Sequence, residues 1–206
     1  SGNPLKNLFS RQTPKKTNEK IVVVSGLPRS GTSMMMKMLA EGGLPTVVDS
    51  LRQADEDNPN GYFEIEQVKA LKDGEKNWIY DARGKVVKVI SYLLEYLPND
   101  LEFNVIFMDR EIHEVLASQK KMLEHRNEVS AISDEDMEKQ YREHLKAVRY
   151  WLPRQPNMRV LYVKYDQMVK SPQTLVPSII EFLERPLNAE AMAAVPSPTL
   201  YRNRKP

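Results

Sequence analysis

The chain has 206 residues, of which 41% are apolar and 28% charged, a composition typical of a soluble globular protein. Its 30 basic and 28 acidic residues leave a net charge of +2, which argues against a dedicated nucleic-acid or membrane-surface binder. The absence of cysteine excludes disulfides, thiol nucleophiles and thiolate metal sites, and three histidines argue against a multi-histidine metal site.

The two ends of the chain are basic and polar. Residues 1–19 lack the apolar stretch of a signal peptide, and no apolar run approaches the length of a membrane span. We therefore predict a flexible basic N-terminal arm over residues 1–19, a single domain over residues 20–206 and a cytoplasmic location. The sequence carries no signal for an oligomeric state.

The apolar pattern predicts strands that alternate with helices. A β-branched run predicts a first strand over residues 21–24, and a helix follows over residues 32–41, closed by two glycines. Further strands are predicted over residues 86–90, 104–108 and 159–164, and further helices over residues 111–126, 134–151 and 172–184, with another beginning near residue 63. This alternation predicts an α/β fold with a mostly parallel sheet covered by helices on both faces.

The segment between the first strand and the first helix is typical of a phosphate-binding loop. Backbone N–H groups in such a loop, together with the helix N-terminus, cradle an anion. Gly26 and Gly31 have the spacing of a Walker A motif, but Thr32 stands where a nucleotide triphosphatase has its lysine. The cation here is Arg29, whose planar fork suits a terminal oxyanion group. The alternative is an ordinary tight turn between a strand and a helix.

This loop resembles the 5′-phosphosulfate loop of sulfotransferases that use 3′-phosphoadenosine 5′-phosphosulfate, or PAPS. Cytosolic members usually carry lysine at the position of Arg29, whereas tyrosylprotein sulfotransferases and many bacterial members carry arginine, so the chain looks closer to the latter. The resemblance implies a P-loop-type three-layer fold that needs no metal. The residues that it implies for binding the donor are Pro28, Arg29, Ser30, Gly31, Thr32 and Ser33.

A second motif resembles the 3′-phosphate site of the same family. Arg110 follows an apolar strand, and Ser118 comes eight residues later on the next predicted helix. The resemblance implies that the guanidinium and the hydroxyl both hold the 3′-phosphate. Arg202 and Arg204 in the basic tail resemble more loosely a C-terminal loop that closes on this phosphate, and a solvated tail is the alternative.

The resemblance also implies groups for sulfuryl transfer. Arg29 would hold the sulfate oxygens, and Lys88, at a strand end, resembles a lysine that the family places beside the sulfonate. The alternative for Lys88 is a charge that points to water. Cytosolic members have a histidine shortly after this lysine, and none follows it here. His125 and His144 lie in charged helical stretches and are predicted to be on the surface.

Tyrosylprotein sulfotransferases use a glutamate after the first helix as the general base. The resemblance therefore implies that the base is an acidic residue in this region. Glu64 and Glu66 are the candidates, and we favour Glu64 because it follows Tyr62 and Phe63. Partial burial beside aromatic rings raises the pKa of a carboxyl, which suits a base near neutral pH. The alternative is an acid favoured by the helix macrodipole.

The expected function is transfer of a sulfuryl group from PAPS to a hydroxyl or amine by in-line displacement. The rival is a non-catalytic or kinase-like P-loop nucleotide-binding protein. Against a kinase stand the missing lysine at Thr32 and the lack of a convincing Walker B acid, since Asp109 is followed directly by Arg110. The acceptor is of unknown class, with small molecules, glycans, lipids and peptides all open.

Overall fold

In the computed structural model, residues 20–47, 70–74 and 76–196 are described, and four parallel strands form one sheet. The strands are β1 (Ile21–Ser25), β2 (Val86–Lys88), β3 (Phe103–Asp109) and β4 (Met158–Lys164). Their order is β2-β1-β3-β4, and every pair is parallel. The predicted α/β class with a parallel sheet is confirmed.

Helices connect the strands and cover the sheet. They are α1 (Thr32–Glu41), α2 (Ile112–His125), α3 (Asp134–Trp151), α4 (Tyr165–Lys170), α5 (Pro172–Leu183) and α6 (Ala189–Ala193). Short 3₁₀ helices occupy Ala70–Asp73, Asn77–Ala82, Ser91–Tyr96 and Leu152–Arg154. Within the described ranges, no helix is long and apolar enough to cross a membrane.

The sheet has two buried faces because its strands are apolar at successive positions. Val22 and Val24 of β1 pack on one face with α1, where four methionines (Met34, Met35, Met36 and Met38) are buried, and with α5. Ile21 and Val23 pack on the opposite face with α3 and the 3₁₀ helices. The expected three layers, helix on sheet on helix, are therefore present.

The sequence predicted α1 and α3 to the residue, and the remaining strands and long helices to within two residues. Strand β2 ends at Lys88 and not at Ile90, because the chain turns there into the 3₁₀ helix Ser91–Tyr96. The short helices α4 and α6 were not predicted. Most of the helix expected near residue 63 lies outside the described residues.

The strand order places a crevice at the carboxyl end of β1. The chain passes from β1 to β2 on one side and then returns to β3 on the other side. Open parallel sheets bind ligands at such a topological switch point, beyond the carboxyl ends of the strands. The glycine loop that follows β1 lies at this point.

Candidate active site

The loop from Gly26 to Gly31 is a fixed turn with little room for larger residues. Gly26 has φ 147°, and an added Cβ would lie 2.9 Å from the Met108 carbonyl oxygen. Gly31 has φ 96°, and an added Cβ would overlap the ring of Tyr165. The buried Ser30 hydroxyl donates a hydrogen bond to the Leu27 carbonyl over 2.6 Å. The loop therefore holds its shape through its own contacts.

Helix α1 begins directly after this turn and offers its N-terminus to the crevice. Its N-cap is Gly31, no side chain caps it, and its first turn contains no acidic residue. The first N–H groups of a helix have no partner within the helix and carry partial positive charge. This end of α1 is chemically suited to an anion.

Gly31→Ala should lower the free energy of unfolding by about 2–4 kcal/mol, since a positive φ and an overlap with Tyr165 both oppose a methyl group. Gly43→Ala is the matched control. Gly43 has φ 101° but open space around it, so its substitution should cost only about 1 kcal/mol. Urea denaturation of both variants measures the difference. Equal losses would show that Tyr165 does not confine the loop.

The loop contacts the motif that follows β3. The Arg29 Nε donates to the Ser118 Oγ over 2.9 Å, and the Arg110 Nη1 donates to the Arg29 carbonyl oxygen over 2.8 Å. Arg29 adopts a left-handed backbone conformation, with φ 64°, at the position where these contacts meet. The two motifs singled out from the sequence thus lie side by side.

The Arg110 guanidinium is enclosed, with its side chain only 6% exposed. It lies 4.3 Å from the centroid of the Tyr165 ring, and Glu114 Oε2 lies 3.6 Å from its Nε. Within the described part of the chain, this Nε has no hydrogen-bond partner. The Arg110 guanidinium therefore brings a buried positive charge, paired with Glu114 on its Nε side, to the edge of the loop.

Lys88 contacts the N-terminal turn of α1. Its Nζ donates to the Ser33 Oγ over 3.0 Å, and the residue is 7% exposed. The alternative reading of Lys88, a charge that points to water, is therefore wrong. The side chain brings an ammonium group to the first turn of α1.

The surface position predicted for His144 is wrong. It is half-buried, its Nε2 lies 2.8 Å from the Ser91 Oγ, and its ring stacks on Tyr92 with 3.6 Å between centroids. Burial lowers the pKa of the imidazole. The spacing of Tyr141, His144 and Val148 could have predicted this, because it puts His144 on the same face of α3 as the two buried residues. His125 is exposed, as expected.

The remaining predicted site residues are Glu64, Glu66, Arg202 and Arg204, and they lie outside the described residues. Among the residues that the structure describes, no cluster of histidine, aspartate or glutamate side chains could hold a metal ion. The described part of the site consists of cations, hydroxyls and backbone N–H groups, with the Glu114 carboxylate beside Arg110.

A sequence profile described as "Sulfotransferase family" matches residues 61–189, more than half of the chain. The chain belongs to the sulfotransferase family. The match includes Lys88, Arg110 and Ser118, whereas the loop at residues 26–33 precedes it. No curated protein sequence matches the chain.

Solved sulfotransferase structures share the fold. The sulfotransferase domain of the Synechococcus PCC 7002 olefin synthase has a TM-score of 0.55 at 15% identity, covering 87% of this chain and 78% of that domain. The sulfotransferase domain from the curacin biosynthetic pathway has a TM-score of 0.50 at 14% identity, covering 91% and 78%. Mouse sulfotransferase SULT7A1, solved in complex with PAP, has a TM-score of 0.49 at 16% identity, covering 86% and 63%.

Proposed function

We propose that this sulfotransferase-family protein transfers a sulfuryl group from PAPS to a hydroxyl or amine acceptor by in-line displacement. The observation that carries the proposal is the pair of hydrogen bonds that join Arg29 to Ser118 and Arg110 to Arg29. They support the proposal because they bring the residues proposed for the 5′-phosphosulfate into direct contact with those proposed for the 3′-phosphate. A nucleotide with phosphate at both its 5′ and 3′ positions presents two such groups.

The donor would lie with its 5′-phosphosulfate on the loop and the α1 N-terminus. Its 3′-phosphate would lie on Arg110 and Ser118. The contact of Arg110 with the loop, through the hydrogen bond from its Nη1 to the Arg29 carbonyl oxygen, supports this placement. Arg202 and Arg204 are proposed to close on the same phosphate from the tail.

In the proposed reaction, the acceptor oxygen or nitrogen forms a bond to sulfur while the bond from sulfur to the bridging phosphate oxygen breaks. The electron pair of the broken bond stays on the phosphate, which leaves as adenosine 3′,5′-bisphosphate. Arg29 and Lys88 neutralise charge on the sulfuryl group and the leaving oxygen. The acceptor proton passes to Glu64, which is favoured over Glu66 because it follows Tyr62 and Phe63.

Isothermal titration calorimetry with adenosine 3′,5′-bisphosphate and with ATP plus magnesium tests the donor. We expect the wild type to bind the bisphosphate, and Arg29→Ala to weaken that binding about 10-fold or more, since a charged hydrogen-bond donor is lost. The matched control is Arg142→Ala, because Arg142 lies on the exposed face of α3 and pairs with Glu138. Magnesium-dependent ATP binding without bisphosphate binding would support the kinase-like rival.

A further inference from the structure

A short chain of contacts connects α3 to the phosphate-binding loop. The His144 Nε2 lies 2.8 Å from the Ser91 Oγ. The backbone N–H of the same Ser91 donates to the Gly26 carbonyl oxygen over 3.0 Å. Lys88, which reaches the start of α1, precedes Ser91 by three residues on the same strand end. Ser91 therefore connects the imidazole to the first carbonyl of the loop, and it belongs to the segment that carries Lys88.

The surroundings of His144 favour the neutral imidazole. Its ring lies parallel to that of Tyr92, with an interplanar angle of 6°, and burial raises the pKa of Tyr92 to about 12. Tyr141, one turn earlier on α3, also has a raised pKa because of burial, so both phenols are uncharged. The carboxylate of Glu95 raises the pKa of His144, but the larger effect of burial lowers it.

We propose that His144 is a positioning residue, which in its neutral form fixes Ser91 and thereby holds the first carbonyl of the phosphate loop and the segment that carries Lys88. The contacts themselves do not depend on the ligand. The catalytic consequence rests on the proposed function, because it assumes that this loop binds the sulfuryl donor.

Protonation changes the hydrogen bonds that the imidazole can form with the Ser91 hydroxyl. In the Nδ1–H tautomer of the neutral imidazole, which the proposal invokes, Nε2 accepts the hydrogen bond of the serine hydroxyl, whereas both nitrogens of an imidazolium can only donate. The Ser91 hydroxyl, on a residue only 3% exposed, would then have to turn its hydrogen toward another acceptor. Since burial lowers the pKa of His144, this change comes only on the acid side of the ordinary histidine range.

The first experiment measures amide hydrogen exchange of Ser91 by NMR in the ligand-free protein, while the His144 ring proton signals follow its titration. In the wild type, the protection factor of the Ser91 amide should fall about 10-fold as His144 becomes protonated, as expected for a weakened buried hydrogen bond. His144→Gln, whose amide oxygen accepts but does not titrate, should show no such fall. His125→Gln, at the exposed end of α2, is the matched control and should behave like the wild type.

A protection factor that does not change through the His144 titration would overturn the proposal, and the wild-type titration decides this even if His144→Gln does not fold. The second experiment measures affinity for adenosine 3′,5′-bisphosphate at neutral pH. We expect His144→Ala to bind roughly 10-fold more weakly and His144→Gln to stay within about 3-fold of the wild type.

The two experiments separate the two ideas. If the protection factor of the Ser91 amide falls as His144 is protonated but the wild type binds no bisphosphate at any pH, the proposed function is wrong and the positioning role stands. If the bisphosphate binds and the protection factor of the Ser91 amide does not change as His144 is protonated, the positioning role is wrong and the proposed function stands.

Discussion

Arg110→Gln should remove most of the preference for adenosine 3′,5′-bisphosphate over adenosine 5′-monophosphate. The wild type should prefer the bisphosphate because the Arg110 guanidinium places a positive charge beside the loop, where its Nη1 contacts the Arg29 carbonyl. Truncating one partner of a buried charged contact costs about 2–5 kcal/mol, which is roughly 30-fold to 5,000-fold in affinity. Affinity for the monophosphate should change much less. Calorimetry with both nucleotides measures the two values in one protein.

The control for Arg110 must account for its neighbour Glu114. Removing the cation leaves this carboxylate buried without the ion pair at 3.6 Å, which by itself destabilises the region. The double variant Arg110→Gln with Glu114→Gln removes that charge, and thermal melting shows whether each variant is folded. If a folded double variant still prefers the bisphosphate as strongly as the wild type, the 3′-phosphate site lies elsewhere.

Lys88→Met should lower kcat by about 100-fold to 1,000-fold while changing donor KM much less. The ammonium at the first turn of α1 is proposed to stabilise charge that develops as the sulfuryl group leaves, and such preorganised groups act mainly in the transition state. Methionine has a similar length and no charge, so the packing around β2 is kept. The measurement is transfer of labelled sulfate from PAPS to the best acceptor in a panel of phenols, sugars and amines.

Lys85→Met is the matched control, since Lys85 is exposed and directly precedes β2. It should leave kcat unchanged. We also expect Lys88→Met to melt no lower than the wild type, because removing a buried ammonium relieves a desolvation cost. A fall in kcat that accompanies a large fall in melting temperature would mean that Lys88 supports the fold and not the reaction.

The parts of the site that sequence could predict are local in the chain. The loop residues are consecutive between a strand and a helix, and Arg110 and Ser118 lie two turns apart on one strand-helix unit. The pairing of His144 with Ser91 joins residues 53 positions apart. It depends on how α3 crosses the sheet, which no local pattern specifies. The order β2-β1-β3-β4 was unpredictable for the same reason. The assignment of Glu64 as base stays a prediction.

The four buried methionines of α1 give this helix an adaptable support. Their side chains are unbranched and polarizable, so they can change rotamer to fill space that a branched side chain would leave empty. The rigid turn from Gly26 to Gly31 therefore precedes a helix that can shift slightly along its axis, because the methionines on its buried face can repack without opening a cavity. In the proposed reaction, the loop would therefore bind the anion, and the helix that follows it would adjust to the bound ligand.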